Sequence, residues 1–173
     1  AAAVKASQSN HWGWTMGQTH IFEDSWNSGT ADALALVPYL VASQQFVKSL
    51  HETGQFTVHR GLSDQTNNKV GSQVKTALSK VADNKKKTWV GEFPGGSPAV
   101  AAGWSENFGT SKGFAPGSGN GVIFKKAIKA EDVLLHFKAF SSKYGGEDEV
   151  IIDPNSALKF SYDEILLSGV DYK

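Results

Sequence analysis

The 173-residue chain contains no cysteine. That excludes a disulfide scaffold, a thiolate metal site and a cysteine nucleophile, and it leaves the redox compartment undecided. No sign of charge dominates either: Lys plus Arg equals Asp plus Glu at 17 each, so no strong net field draws the chain to nucleic acid or to an anionic membrane. No apolar run approaches membrane-spanning length, and no membrane insertion is expected. Methionine occurs once, as Met16. The opening Ala-Ala-Ala-Val-Lys-Ala-Ser has neither an initiator methionine nor a signal-peptide core, so the expectation is a piece of a longer protein. Internal repeats and low-complexity segments are missing too. What is plentiful is glycine, with 18 residues, and tryptophan, with 5, a mixture that suits a mixed fold with elaborate loops better than a helical bundle. The length suits one domain with a substantial core.

Taken in order, His11-Trp12-Gly13-Trp14 and Trp26 read as aromatics that dock one end of the chain onto its body; the other reading is a groove lining. Thr30 or Asp32 caps a helical pattern carried by Ala33, Leu34, Leu36 and Val37. Pro38 predicts a break into two pieces. Leu40, Val41, Phe46, Val47 and Leu50 keep helical spacing until Gly54 stops it. In Gln55–Ser63, Phe56 and Val58 alternate with polar residues, which predicts a strand with those two side chains inward. His59 then faces outward and reads as incidental, whereas Arg60 is in phase with the inward face. An inward guanidinium needs an anion. Two readings follow: a structural ion pair, or a phosphate clamp in which Gly61 lets a ligand approach the backbone.

Val70, Val74, Leu78 and Val81 predict a short amphipathic helix ending near Asn84, and Lys85-Lys86-Lys87 reads as a solvated patch. Thr88–Gly91 opens a loop that runs through Glu92–Pro98. Trp104-Ser105 closes a core strand, Pro116–Gly121 is a turn, and Val122–Ile128 is a strand. Glu131–Leu135 reads as a short connection or helical turn. Ala157–Leu167 is a closing strand or strand pair.

The stretch Lys143-Tyr144-Gly145-Gly146-Glu147-Asp148-Glu149-Val150-Ile151-Ile152-Asp153-Pro154 organises the rest. A β-branched run closed by proline marks a short buried strand. If that strand already begins at Glu147, then Glu147 and Glu149 leave one face and Asp148 the other. By itself, such an acidic turn reads as solvated decoration.

Three segments change that reading: a strand ending in Arg60-Gly61, a serine-containing strand at Ser105, and Glu147-x-Glu149 followed by Val-Ile-Ile-Asp-Pro and Lys159-Phe160. In this order they resemble the arginine–serine–glutamate class of mono-ADP-ribosyltransferases, over roughly residues 55 to 167. The family usually shows Ser-Thr-Ser where this chain has Ser105-Glu106-Asn107, with Thr110-Ser111 as a rival for the motif serine. The resemblance implies an α/β fold of two packed, mainly antiparallel sheets with flanking helices and a central NAD cleft. It implies one catalytic domain over 1–173, with a mainly helical part at 1–54 and a strand-rich core at 55–173.

The resemblance also implies roles. Glu149 would hold the ribose 2′-hydroxyl as oxocarbenium charge develops, and Glu147 would act as general base toward the acceptor. Arg60 would clamp NAD phosphate or ribose, the Gly61 backbone would bond the nicotinamide amide, and Ser105 would orient Glu149. Phe114 would stack on nicotinamide, and Tyr144 would read the target. NAD is the implied co-substrate, with no metal. The acceptor would be a macromolecule, a protein arginine first and nucleic acid second. The implied setting is a toxin or effector domain, secreted or delivered within a larger protein to act in a cytoplasm, with a possible immunity or delivery partner. Two further readings stand beside it: an NAD glycohydrolase on the same fold, and a non-catalytic binding module in which Arg60 is structural.

Overall fold

A computed structural model describes residues 31–65, 70–79, 88–90, 103–139, 148–153, 156 and 159–173. Trp12, Trp14, Trp26, Val81, the Lys85–Lys87 patch, the Glu92–Pro98 loop, Tyr144 and Glu147 lie outside the described residues. The architecture is mixed α/β, with antiparallel sheets and few helices.

The main sheet has six strands, all pairing antiparallel. They are β1 (Gln55–Leu62), β3 (Gly103–Ser105), β4 (Val122–Lys129), β5 (Val133–His136), β6 (Glu149–Ile152) and β8 (Ile165–Leu167), in the spatial order β5-β6-β3-β1-β4-β8. A two-stranded sheet pairs β2 (Thr88–Val90) with β7 (Lys159–Ser161). Three α-helices, α1 (Ala31–Leu50), α2 (Val70–Ser79) and α3 (Phe108–Phe114), and four short 3-10 turns complete the described elements.

Alternation along β1 sorts the two faces of the main sheet. Phe56, Val58 and Leu62 are buried and join Trp104, Val122, Phe124, Ile128, Val150 and Ile152 in the main apolar core. Phe160 of β7 is fully buried in the same core. It stacks on Trp104 with ring centroids 6.3 Å apart and tilts against Phe124 at 5.0 Å, so the small sheet is anchored to the large one by an aromatic contact. The carboxylate of Glu164 and the ammonium of Lys126 form an ion pair beside it at 3.1 Å.

Helix α1 runs unbroken through Pro38, where the sequence predicts an interruption. An internal proline costs a helix about 3 kcal/mol, and tertiary packing on the following turns outweighs it. Tyr39 and Leu40 pack on a second cluster of Leu134, Leu135, Phe137 and Ile151, while Val47 enters the main core. The same helix covers the edge strand β5. Gln44 Nε2 donates to the Glu131 and Val133 carbonyls at 3.2 Å, and Ser43 Oγ accepts from the His136 N–H at 2.9 Å. Edge groups that would otherwise invite another chain are thereby satisfied.

Two further expectations need correction. The expected helical turn holds for Glu131 and Asp132, which lie in a 3-10 turn at Ala130–Asp132, but Val133–Leu135 belongs to strand β5. All four residues of β5 are buried, so it shows no polar alternation to mark it as a strand. Thr88–Val90 is a strand, not the start of a loop. The closing segment is a pair of strands, but they belong to different sheets. Among the described residues, no helix is long and apolar enough to cross a membrane.

Candidate functional site

Three central strands carry the segments singled out by sequence. β1, β3 and β6 are consecutive in the sheet. His59 stands opposite Ser105, and Ser105 stands opposite Glu149. Directly opposed residues in antiparallel strands share a face, so His59, Ser105 and Glu149 form one row across that face. Ser105 is 5% exposed and Glu149 is 7% exposed. A serine and a glutamate 44 positions apart in the chain are thus buried neighbours. Ser111, the rival serine, is buried within α3 and does not stand opposite Glu149.

Local geometry explains how Ser105 is held. The Asn107 N–H donates to Ser105 Oγ at 2.9 Å, which engages the hydroxyl as acceptor and leaves its proton to donate. Asn107 also caps α3: its Oδ1 accepts from the Gly109 N–H at 2.8 Å and the Thr110 N–H at 3.4 Å. One residue therefore joins the end of β3 to the start of α3.

Arg60 neighbours this row along the chain, but it is paired with Phe124 and is in phase with Val58 and Leu62. Period-2 alternation sends its side chain to the face of the main core, opposite the Ser105 and Glu149 side chains. The residue keeps some exposure, yet its guanidinium is packed deeply enough that desolvation pulls its pKa down to about 10. An anion brought close would favour its charged form. Gly61 supplies close approach, but to a helix. A Cβ there would sit 1.8 Å from the Ser111 carbonyl oxygen, so the missing side chain is what lets α3 lie on β1. Phe114, at the last turn of α3, is 42% exposed.

His59, which reads as incidental in the sequence, lies in the row beside Ser105. Burial lowers its pKa below 6.5, against hydrogen bonds to the Ser105 and Glu106 backbone that raise it. Its ring meets Phe108 of α3 edge-on, 5.4 Å between centroids. A serine, a histidine and a glutamate in one row invite comparison with a hydrolytic triad. The order is wrong for one: serine sits in the middle, so the acid does not orient the imidazole.

Glu106 is the second residue that sequence reasoning passed over. Its carboxylate bridges His136 Nε2 at 3.0 Å and His51 Nε2 at 3.3 Å. Burial works to raise its pKa, but hydrogen bonds and charge from His136, then His51, outweigh that and hold it below the usual value. Asp148, just before Glu149, has a left-handed backbone with φ of 48°, and its carbonyl accepts from the Glu106 N–H at 3.1 Å. Position next to a motif residue was the one sequence signal for both His59 and Glu106.

A cleft of about 380 Å³ lies elsewhere, between the end of α1 and the start of β1, lined by Lys48, His51, Gln55 and Lys129 among others. Lys48 is already paired there with Glu131 at 2.9 Å. None of Arg60, Ser105 and Glu149 lines it.

Compared with models of known families, with curated proteins and with solved structures, the chain matches none.

Proposed function

We propose that the chain is a mono-ADP-ribosyltransferase that moves ADP-ribose from NAD to a macromolecular acceptor, a protein arginine first. The observation that carries this reading is the register of β1, β3 and β6. Arginine, serine and glutamate segments far apart in sequence become three consecutive strands, with Ser105 and Glu149 directly opposed and buried.

The chemistry suits these groups. Breaking the bond from the ribose anomeric carbon to the nicotinamide nitrogen returns the electron pair to the ring, which becomes neutral. Positive charge builds on the sugar meanwhile. A carboxylate bonded to the 2′-hydroxyl tightens as that charge grows, so its binding is stronger in the transition state than in the ground state. Glu149 takes this role, and the hydroxyl proton of Ser105 is the group to fix its orientation. The acceptor nitrogen forms the new bond to the anomeric carbon and yields its proton to Glu147 as general base. Phe114 supplies the ring for nicotinamide; the phosphate clamp expected of Arg60 is not part of this row, because its side chain leaves β1 on the other face.

One observation favours a non-catalytic module instead: Arg60 leaves β1 on the opposite face from Glu149, as a purely structural arginine would. Labelled NAD separates the readings. Label transferred to a protein in a lysate supports the transferase, free ADP-ribose alone supports the glycohydrolase, and no turnover by the pure protein supports the binding module. Glu149→Gln should lower turnover by about a hundredfold or more with an unchanged circular dichroism spectrum. Retained turnover in that variant would remove Glu149 from the chemistry. Arg60→Lys raises the KM for NAD if the fork grips phosphate and leaves it unchanged if Arg60 only supports the core.

A further inference from the structure

One cluster of charged and titratable groups takes no part in the chemistry proposed for the row on β1, β3 and β6. It comprises Glu106, His51, His136, Lys138 and Asp148, and it touches both members of the Ser105–Glu149 pair through their chain neighbours. His136 is 1% exposed, and its backbone and ring are fixed from several sides. Its N–H is held by Ser43 Oγ at 2.9 Å, and Phe46 meets its ring edge-on at 4.9 Å. The Lys138 backbone N–H reaches His136 Nδ1 at 3.3 Å. A backbone amide only donates, so in the neutral ring Nδ1 accepts and the proton sits on Nε2. Nε2–H then donates to Glu106 Oε1 at 3.0 Å. Two residues on, the Lys138 ammonium forms an ion pair with Asp148. The Asp148 carbonyl closes the circuit by accepting from the Glu106 N–H at 3.1 Å.

We infer that His136–Lys138 is a positioning clamp for the proposed catalytic pair, holding Glu106 (the residue after Ser105) through His136 and Asp148 (the residue before Glu149) through Lys138. The inference deepens the transferase reading and rests on it for its kinetic consequence. Its physical logic lies in the backbone. A non-glycine residue at positive φ is held there only when its surroundings fix it, and Asp148, at φ of 48°, is gripped by side chain and carbonyl alike. That grip fixes where β6 begins, and with it the direction in which Glu149 leaves the strand. Ser105 is placed in the same way from the Glu106 side. The reach of the clamp is short: it spans the ends of β3, β5 and β6, where misplacement by about 1 Å can cost up to a hundredfold in rate.

The test uses the intact chain in four forms: wild type, Lys138→Met, Lys138→Arg and Glu106→Ala. Two readouts are followed, NAD turnover and hydrogen exchange of the Glu106 amide by NMR. Lys138→Met should lower kcat by about tenfold with the KM for NAD changed less than about threefold. Exchange at the Glu106 amide should speed up while β1 and β4 keep their protection. Lys138→Arg, which keeps the ion pair, should recover most of that loss. Glu106→Ala should lower kcat at least as much. The clamp is overturned if kcat stays within twofold of wild type in both Lys138→Met and Glu106→Ala, or if activity falls only in step with loss of protection across the whole sheet. If the wild-type protein turns over no NAD, the transferase reading fails by itself. The exchange readout still decides the clamp: selective loss of Glu106 protection in Lys138→Met supports it, and unchanged protection overturns it.

Discussion

At Gly103 a single hydrogen is what gives Glu149 its place. A Cβ there would stand 2.3 Å from Glu149 Oε1 and 3.2 Å from its Cδ, well inside contact distance. The carboxylate lies across the glycine, so Gly103→Ala drives it out of its position, while the backbone pairing of Gly103 with Ile151 has no reason to change. The atom met is the far end of a flexible side chain, so the carboxylate yields at little cost to the fold. We expect Gly103→Ala to lower NAD turnover by about tenfold or more while the thermal midpoint drops only modestly. Equal activity in the two proteins would show that the carboxylate position seen here is not the working one. Gly103 carried no signal in the sequence, since its importance comes from a residue 46 positions later. His59 was hidden for a related reason: alternation assigns it to a face, but only the Ser105 pairing reveals what else is on that face. Arg60 is the converse case. The sequence put it in phase with Val58, and the structure keeps it there; what the sequence did not show is that Glu149 stands on the other side.

Among the elements, α3 has the shortest support and the most to hold. Its seven residues lie over Gly61 and His59, and Asn107 satisfies two of the first N–H groups that a helix leaves without partners. Asn107→Ala removes that cap and keeps the backbone N–H that bonds Ser105 Oγ. The expected result is a loss of about 1 kcal/mol of stability, read as a lower urea midpoint at constant slope, with turnover falling less than in Gly103→Ala. A cap that also matters for Ser105 would reverse that ranking. Elements were legible where the pattern was local. The β-branched run of β6 and the alternation in β1 are examples, as are the Val70, Val74 and Leu78 spacing of α2 and the aliphatic run of β4. They were lost where partners decide: β5 is buried on both sides and shows no alternation, and β2 has three residues and depends on β7 for its pairing. Pro38 was read by its local cost, whereas contacts made by Tyr39, Leu40 and Val47 decide the outcome.

The whole molecule's response to acid follows from groups spread across these elements. His59 is depressed below 6.5, chiefly by burial. Five carboxylates are depressed as well, each against a desolvation effect in the opposite direction, the surface groups Glu131 and Asp163 among them. Glu106 is held down by His136 and His51, Glu164 by Ser161 and Lys126, and Asp64 by Ser72, Asn120 and the Gly71 backbone. A group whose folded pKa lies below its unfolded one leaves the unfolded chain holding more protons in the interval between the two values, so stability rises with pH there. For His59 the contribution is complete above 6.5 and is lost as the pH falls through its folded value. For Glu106 and Glu164 it is complete above 4.5, and for Asp64 above 3.8, with loss on descent through each folded value. Urea midpoints from pH 8 downward should therefore fall in two stages, one beginning near 6.5 and a larger one beginning near 4.5. His59→Asn should remove the first stage and leave the second. Glu106→Gln should shrink the second without abolishing it, because Asp64 and Glu164 still contribute. A first stage that survives in His59→Asn would place the titrating histidine elsewhere, and an unchanged second stage in Glu106→Gln would mean that the histidine bridge contributes nothing to holding β3 against α1 and β5.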